Sequence, residues 1–128
     1  MLGTIIRGIQ TKFHKGRDIM LIERKGDVLI LAARKRLDTN TAPQAEQLIS
    51  DNIGDGSVKL VFDLEQVEYI SSAGVRVLLK TAKQLKQSGG QMALCNLNDH
   101  VQEVMDLSGL TPIFNCCKSL DEALAAVS

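Results

Sequence analysis

The sequence predicts an α/β domain built on a mainly parallel sheet. Three observations carry that reading. Short apolar runs of strand length alternate with stretches of helical periodicity along most of the chain. Strands separated by helices pair in parallel, because a parallel return needs a crossover of a dozen or more residues. The chain has 128 residues, 45% hydrophobic and 23% charged, which suits one domain with a real core.

The elements follow in order. Ile19 to Glu23 reads as a short strand, Gly26-Asp27 as a turn and Val28 to Ala33 as a second strand. Ala42 to Ile53 reads as a helix, with Asn40 or Thr41 as N-cap and Pro43 in its first turn. Its apolar residues Ala42, Ala45, Leu48 and Ile49 share one face. Val58 to Leu64 (VKLVFDL) reads as a buried strand, and Glu65 to Ile70 as the loop after it. In parallel sheets, function gathers on such loops at the carboxyl ends of strands. Ser71 to Ser88 is a long helix closed by Gly89-Gly90. Leu78, Leu79 and Leu85 are expected to face the sheet, against Leu60 and Val61. Gln91 to Leu97 is a further strand. Asn98 caps a helix that runs to about Leu107, Ile113 to Cys116 is a short strand, and Ser119 caps a last helix from Leu120 to Val127.

Residues 1 to 17 stand apart as an N-terminal extension, and the domain is expected to span residues 18 to 128. Arg7 interrupts the apolar stretch, so no clear signal-peptide core forms. Leu2, Ile6, Ile9 and Phe13 follow helical spacing, with Arg7, Lys12 and Lys15 elsewhere around the wheel. A basic amphipathic helix on a membrane or a partner is one reading. An extension that frays or packs on the domain is the plainer one, with Met20 as an alternative start.

Composition excludes several functions. The longest strand-like apolar run is far short of the roughly 18 residues that span a bilayer. Aromatics make up 3% and Trp is absent, which argues against base or sugar stacking. Fifteen basic residues balance fifteen acidic ones, but Arg7, Lys12, Lys15 and Arg17 all precede the domain. The domain is therefore mildly acidic, a poor match for nucleic acid. Cys95, Cys116 and Cys117 are an odd number, with no metal-ligand or disulfide spacing. A reducing cytoplasm is the simplest compartment for them.

Enzymatic signatures are missing: there is no Walker A sequence, GxGxxG, HExxH or GxSxG. His100, near Asp99 and Asp106, reads as a solvent-facing or capping residue rather than a catalytic base. Asp63, Glu65 and Glu68 do not converge as metal ligands, and Asp63 reads as a residue shaping the strand end. The informative stretch is Tyr69-Ile70-Ser71-Ser72-Ala73-Gly74-Val75. Either serine can cap the helix that opens there. Ala73 and Gly74 leave its first turn bare, which suits either tight packing against a neighbouring strand or close approach by a phosphate or partner. Further along, Arg76, Lys80 and Lys83 form a basic stripe, either a solvated face or a docking surface for an acidic partner.

These residues resemble the anti-sigma factor antagonists of the STAS-domain family. The resemblance covers about residues 18 to 128 and is carried by Leu37-Asp38-Thr39-Asn40-Thr41-Ala42, Leu60 to Asp63, Tyr69 to Val75, Ser88-Gly89-Gly90 and Met105 to Leu110 (MDLSGL). It implies a STAS-type α/β fold, a mixed, mainly parallel sheet with helices packed on one side. It implies a binding module, not an enzyme, working in bacterial partner switching. In that scheme an anti-sigma factor serine kinase binds and phosphorylates the antagonist, and a metal-dependent serine phosphatase restores it. The family pattern Asp-Ser-Ser-Gly-Leu falls on Ser71-Ser72-Ala73-Gly74-Val75, so the implied phosphoacceptor is Ser72. Ser71 stands where the family often has aspartate. The implied partner surface is Asp38, Thr39, Asn40, Thr41, Ser71, Ser72, Ala73, Gly74, Val75 and Arg76. No cofactor, resident metal, nucleic acid or membrane is implied, and a monomer or weak cytoplasmic dimer is expected. Two rivals stay open: a STAS module of a transporter or sensory complex without a sigma factor, and a small enzyme with Ser71 or Ser72 as nucleophile.

Overall fold

The computed structural model describes residues 5–6, 9–12, 19–53 and 58–128. Seven strands form one sheet in chain order: β1 (Ile5–Ile6), β2 (Ile9–Lys12), β3 (Met20–Lys25), β4 (Val28–Leu37), β5 (Lys59–Ile70), β6 (Gln91–Cys95) and β7 (Asn115–Cys117). Four helices complete the described residues: α1 (Ala42–Ile53), α2 (Ser72–Gln87), α3 (Asp99–Leu107) and α4 (Leu120–Val127). The sheet is mixed because its connections differ. Gly26, at φ +64, and Asp27 close a tight antiparallel hairpin between β3 and β4. From β4 to β7 each connection carries a helix, and those three pairings are parallel.

The alternation of side chains along the central strands produces two cores. Leu29 and Leu31 of β4, Leu60 and Phe62 of β5 and Leu94 of β6 point to one face, where they meet Leu48 and Ile49 of α1, Leu78 and Leu85 of α2 and Met105 of α3. The intervening residues Val28, Ile30, Val61, Ala93 and Cys95 point the other way and meet Ala123 and Val127 of α4. Leu60 therefore packs with the α2 face as expected. Val61 does not, because neighbouring residues of a strand face opposite sides. The layer of helices on one side is made by α1, α2 and α3, and α4 closes the reverse face.

The anticipated helix ends are those observed where a polar side chain sets them. Ser71, Asn98 and Ser119 accept backbone N–H bonds from Gly74, Val101 and Glu122 at 3.4, 2.8 and 3.1 Å. Strand ends differ more. The segment Glu65 to Ile70, anticipated as a loop, continues β5 and pairs with the end of β4. Register shifts lie between Ala32 and Arg34 and between Lys35 and Arg36, with Lys35 at φ +58. Beyond them burial falls on Leu64, Val67 and Ile70, every third residue instead of every second. β6 stops at Cys95 because Asn96 turns into the left-handed region at φ +60. Ile113 lies outside β7: its N–H and that of Phe114 both bond the Leu110 carbonyl in a turn.

The extension is not helical where it is described. Ile6 lies in β1 and Ile9 in β2, whose Thr11 and Lys12 pair with Glu23 and Ile22 of β3. An open sheet edge offers unpaired backbone groups that a strand satisfies and a helix does not. Leu2 and Phe13 lie outside the described residues.

Candidate functional site

The site is built where β4 and α2 meet. β4 ends at Leu37, and the backbone N–H of Ser71 donates to the Leu37 carbonyl at 3.0 Å. The first turn of α2 is held so close that a Cβ on Gly74 would lie 2.2 Å from the Leu37 oxygen and 2.9 Å from Cγ1 of Ile70. Only glycine fits there. The bare first turn thus serves tight packing at Gly74, one of the two alternatives its small residues leave open. Gly74 and Val75 are buried, and Ala73 is half-buried. They set the helix start in place from beneath.

The two serines have different roles. Ser71 is the N-cap, with extended backbone, and its hydroxyl accepts from the Gly74 N–H. Ser72 is the first helical residue and is exposed. Among the described residues its hydroxyl has no hydrogen-bond partner, and neither serine hydroxyl meets a histidine or a carboxylate. Arg76 is exposed one turn further along.

The 38–41 turn lies beside this helix start, at the end of the same β4 residue that Gly74 touches. Asp38 is buried, at 8% exposure, and organises the turn. One carboxylate oxygen accepts from the backbone N–H groups of Asn40 and Thr41, at 3.0 and 3.2 Å, and the other from Arg36 Nε at 2.9 Å. The Arg36 hydrogen bond and those backbone donors hold its pKa below the ordinary aspartate value, against the effect of burial. Thr41 occupies the N-cap position of α1, since its carbonyl accepts from Ala45. Its hydroxyl does not cap forward but accepts from the Asp38 N–H at 2.9 Å. Thr39 and Asn40 are exposed at the tip. The structure therefore joins both groups of anticipated partner residues, with Ser72, Arg76, Thr39 and Asn40 outward and Asp38, Gly74 and Val75 supporting them.

A neighbouring feature was not legible in the sequence. The Arg36 guanidinium lies 4.9 Å above the Tyr69 ring, and Tyr69 stacks on His100 of α3 with centroids 5.4 Å apart and planes 15° apart. Tyr69 is 38% exposed. His100 is solvent-facing, as expected, but the cap of α3 is Asn98, which also donates to the Val67 carbonyl at 2.8 Å. The only sequence signal was Tyr69 itself, because pairing Arg36 with Tyr69 requires the two register shifts. Asp63 lies inside β5 rather than at its end, and its carboxylate accepts from Asn96 Nδ2 and the Glu65 N–H.

Comparison with known proteins matches the STAS domain model to residues 20–123. The chain belongs to the STAS-domain family of anti-sigma factor antagonists. BtrV of Bordetella bronchiseptica, assigned as an anti-sigma factor antagonist, is 36% identical to this STAS domain protein over 84% of this chain and 92% of BtrV. The anti-sigma F factor antagonist of Paenibacillus polymyxa is 30% identical over 72% of this chain and 80% of its own length. The crystal structure of an anti-sigma factor antagonist from Mycobacterium paratuberculosis superimposes with a TM-score of 0.78 at 29% identity, covering 91% of this chain and 98% of that one. Among the described residues of this STAS domain, no helix is long and apolar enough to cross a membrane.

Proposed function

We propose that this protein is an anti-sigma factor antagonist that works by partner switching. Unphosphorylated, it binds an anti-sigma factor serine kinase through the start of α2 and the 38–41 turn. The kinase phosphorylates Ser72, the complex dissociates, and a metal-dependent serine phosphatase restores the binding form. It acts in the cytoplasm as a binding module, without catalytic chemistry of its own. The observation that carries this reading is the division of labour between the serines: Ser71 is committed as the cap, whereas Ser72 offers a free hydroxyl at the surface.

Physical chemistry supports the switch. A phosphoryl group brings about −1.5 to −2 charge. The N-terminus of α2 tolerates that charge in the free domain, because the helix dipole is positive there. Against a partner surface shaped for a neutral hydroxyl, the same charge is desolvated and unpaired. Phosphorylation then separates the partners without unfolding the domain.

Binding of the cognate anti-sigma factor to three forms of the full chain tests this. Ser72→Ala is expected to bind like wild type, and Ser72→Asp at least about tenfold more weakly. Equal binding by Ser72→Asp and wild type contradicts the switch. A chain that copurifies with a transporter complex and has no affinity for an anti-sigma factor favours the transporter-module alternative.

A further inference from the structure

We infer that the C-terminal half of α2 carries a second docking groove, one that takes an acidic amphipathic segment of a partner protein. The groove has a volume of about 560 Å³ and lies between α2 and the turn before β7. Leu79 and Ala82 of α2, Met92 of β6 and Ile113 line it with apolar surface. None of these four is fully buried, and Ile113 is 59% exposed. Lys83 and Lys86 stand on its rim, both exposed.

Charge selects the occupant. Lys80, one turn earlier on the same helix, is paired with Glu46 of α1. Among the described residues, Lys83 and Lys86 have no such partner. Two unpaired ammonium groups beside an apolar floor call for a ligand with acidic residues flanking an apolar stripe. Shape selects between sources of that chemistry. Ile113 on the wall of the groove is 59% exposed, so an acyl chain lying there keeps part of its surface in water. An amphipathic helix buries one face there and keeps its other face solvated by design.

The groove is distinct from the Ser72 surface. Lys86 lies fourteen residues along α2 from Ser72, about 20 Å at the helical rise. Leu79, at the near end of the groove, lies seven residues from Ser72, about 10 Å at the same rise, so the groove begins beyond contact with the Ser72 hydroxyl.

Selection of displayed peptides against the full chain tests the inference. The expected peptides carry apolar residues at i, i+3, i+4 and i+7 with aspartate or glutamate beside them. Their binding should fall at least about tenfold in Ile113→Glu and several-fold in the double variant Lys83→Glu, Lys86→Glu. Both changes lie at exposed positions, and unchanged circular dichroism and melting check that each variant folds. Binding should be unaltered in Ser72→Asp. The inference is overturned if no peptide is enriched, if the peptides lack acidic residues, or if their binding survives both groove variants. Loss of binding in Ser72→Asp also overturns it, by assigning the peptides to the α2 start. So does binding of phosphatidylglycerol vesicles in place of any peptide, or a self-association that Ile113→Glu abolishes.

Discussion

A side-chain carbon on Gly74 would lie 2.2 Å from the carbonyl oxygen of Leu37. That distance fixes the start of α2 against the end of β4, and with it the spacing between the two halves of the proposed partner surface. The obstacle is backbone, so it does not rotate away. Gly74→Ala is expected to lower the free energy of unfolding by about 1–3 kcal/mol, although alanine is the better helix former. The shift in urea midpoint measures this, and an unchanged or raised midpoint contradicts the packing.

Leu78 and Leu79 are adjacent on α2 but differ in burial, Leu78 being fully buried and Leu79 only partly. Leu78→Ala is expected to cost about 2–5 kcal/mol. Leu79→Ala should cost about 1 kcal/mol, because its side chain is already partly in water. Equal costs in denaturant unfolding contradict the assigned helix face.

Acid should loosen the 38–41 turn. Asp38 is held below its ordinary pKa chiefly by Arg36 and by the N–H groups of Thr41 and Asn40. A carboxylate with a depressed folded pKa adds stability that is fully present above its unfolded pKa, about 3.9, and is lost as pH falls through the folded value. Asp38→Asn is therefore expected to flatten that acid limb of the stability curve, and Asp38→Ala, which removes the acceptor, to deprotect the Asn40 and Thr41 amides in hydrogen exchange. An acid limb and amide protection identical to wild type contradict the role given to Asp38.

Removing residues 1–17 should be mild, because among the described residues β2 pairs with the edge of β3 through Thr11–Glu23 and Lys12–Ile22. The melting temperature is expected to fall by no more than about 4 °C. A larger fall in a thermal melt makes the extension part of the domain.

The parts of this fold that the sequence discloses are those set locally. Ser71, Asn98 and Ser119 announce their helices because a cap is a contact between residues three apart. Ala42–Ile53 follows the 38–41 turn and Leu120–Val127 follows its cap Ser119, both local signals. The second half of β5 was hidden because the shifts in its pairing with β4 move its buried residues from every second to every third position. The Arg36–Tyr69–His100 stack was hidden for the same reason, since it depends on a register between distant strands. The bare turn at Ala73 and Gly74 was visible, but the strand pressed against it was not. The family resemblance supplied Ser72 as a candidate, and the cap geometry supplies a physical reason to prefer it over Ser71.

The central claim is that Ser72, and not Ser71, receives the phosphoryl group. Both lie in the tryptic peptide spanning residues 60–76, so one measurement separates them. The full chain is incubated with its anti-sigma factor kinase and ATP, and that peptide is fragmented by mass spectrometry. Phosphate on Ser72 in wild type and in Ser71→Ala, with none in Ser72→Ala, is the expected result. Phosphate on Ser71, or on neither serine, contradicts the account.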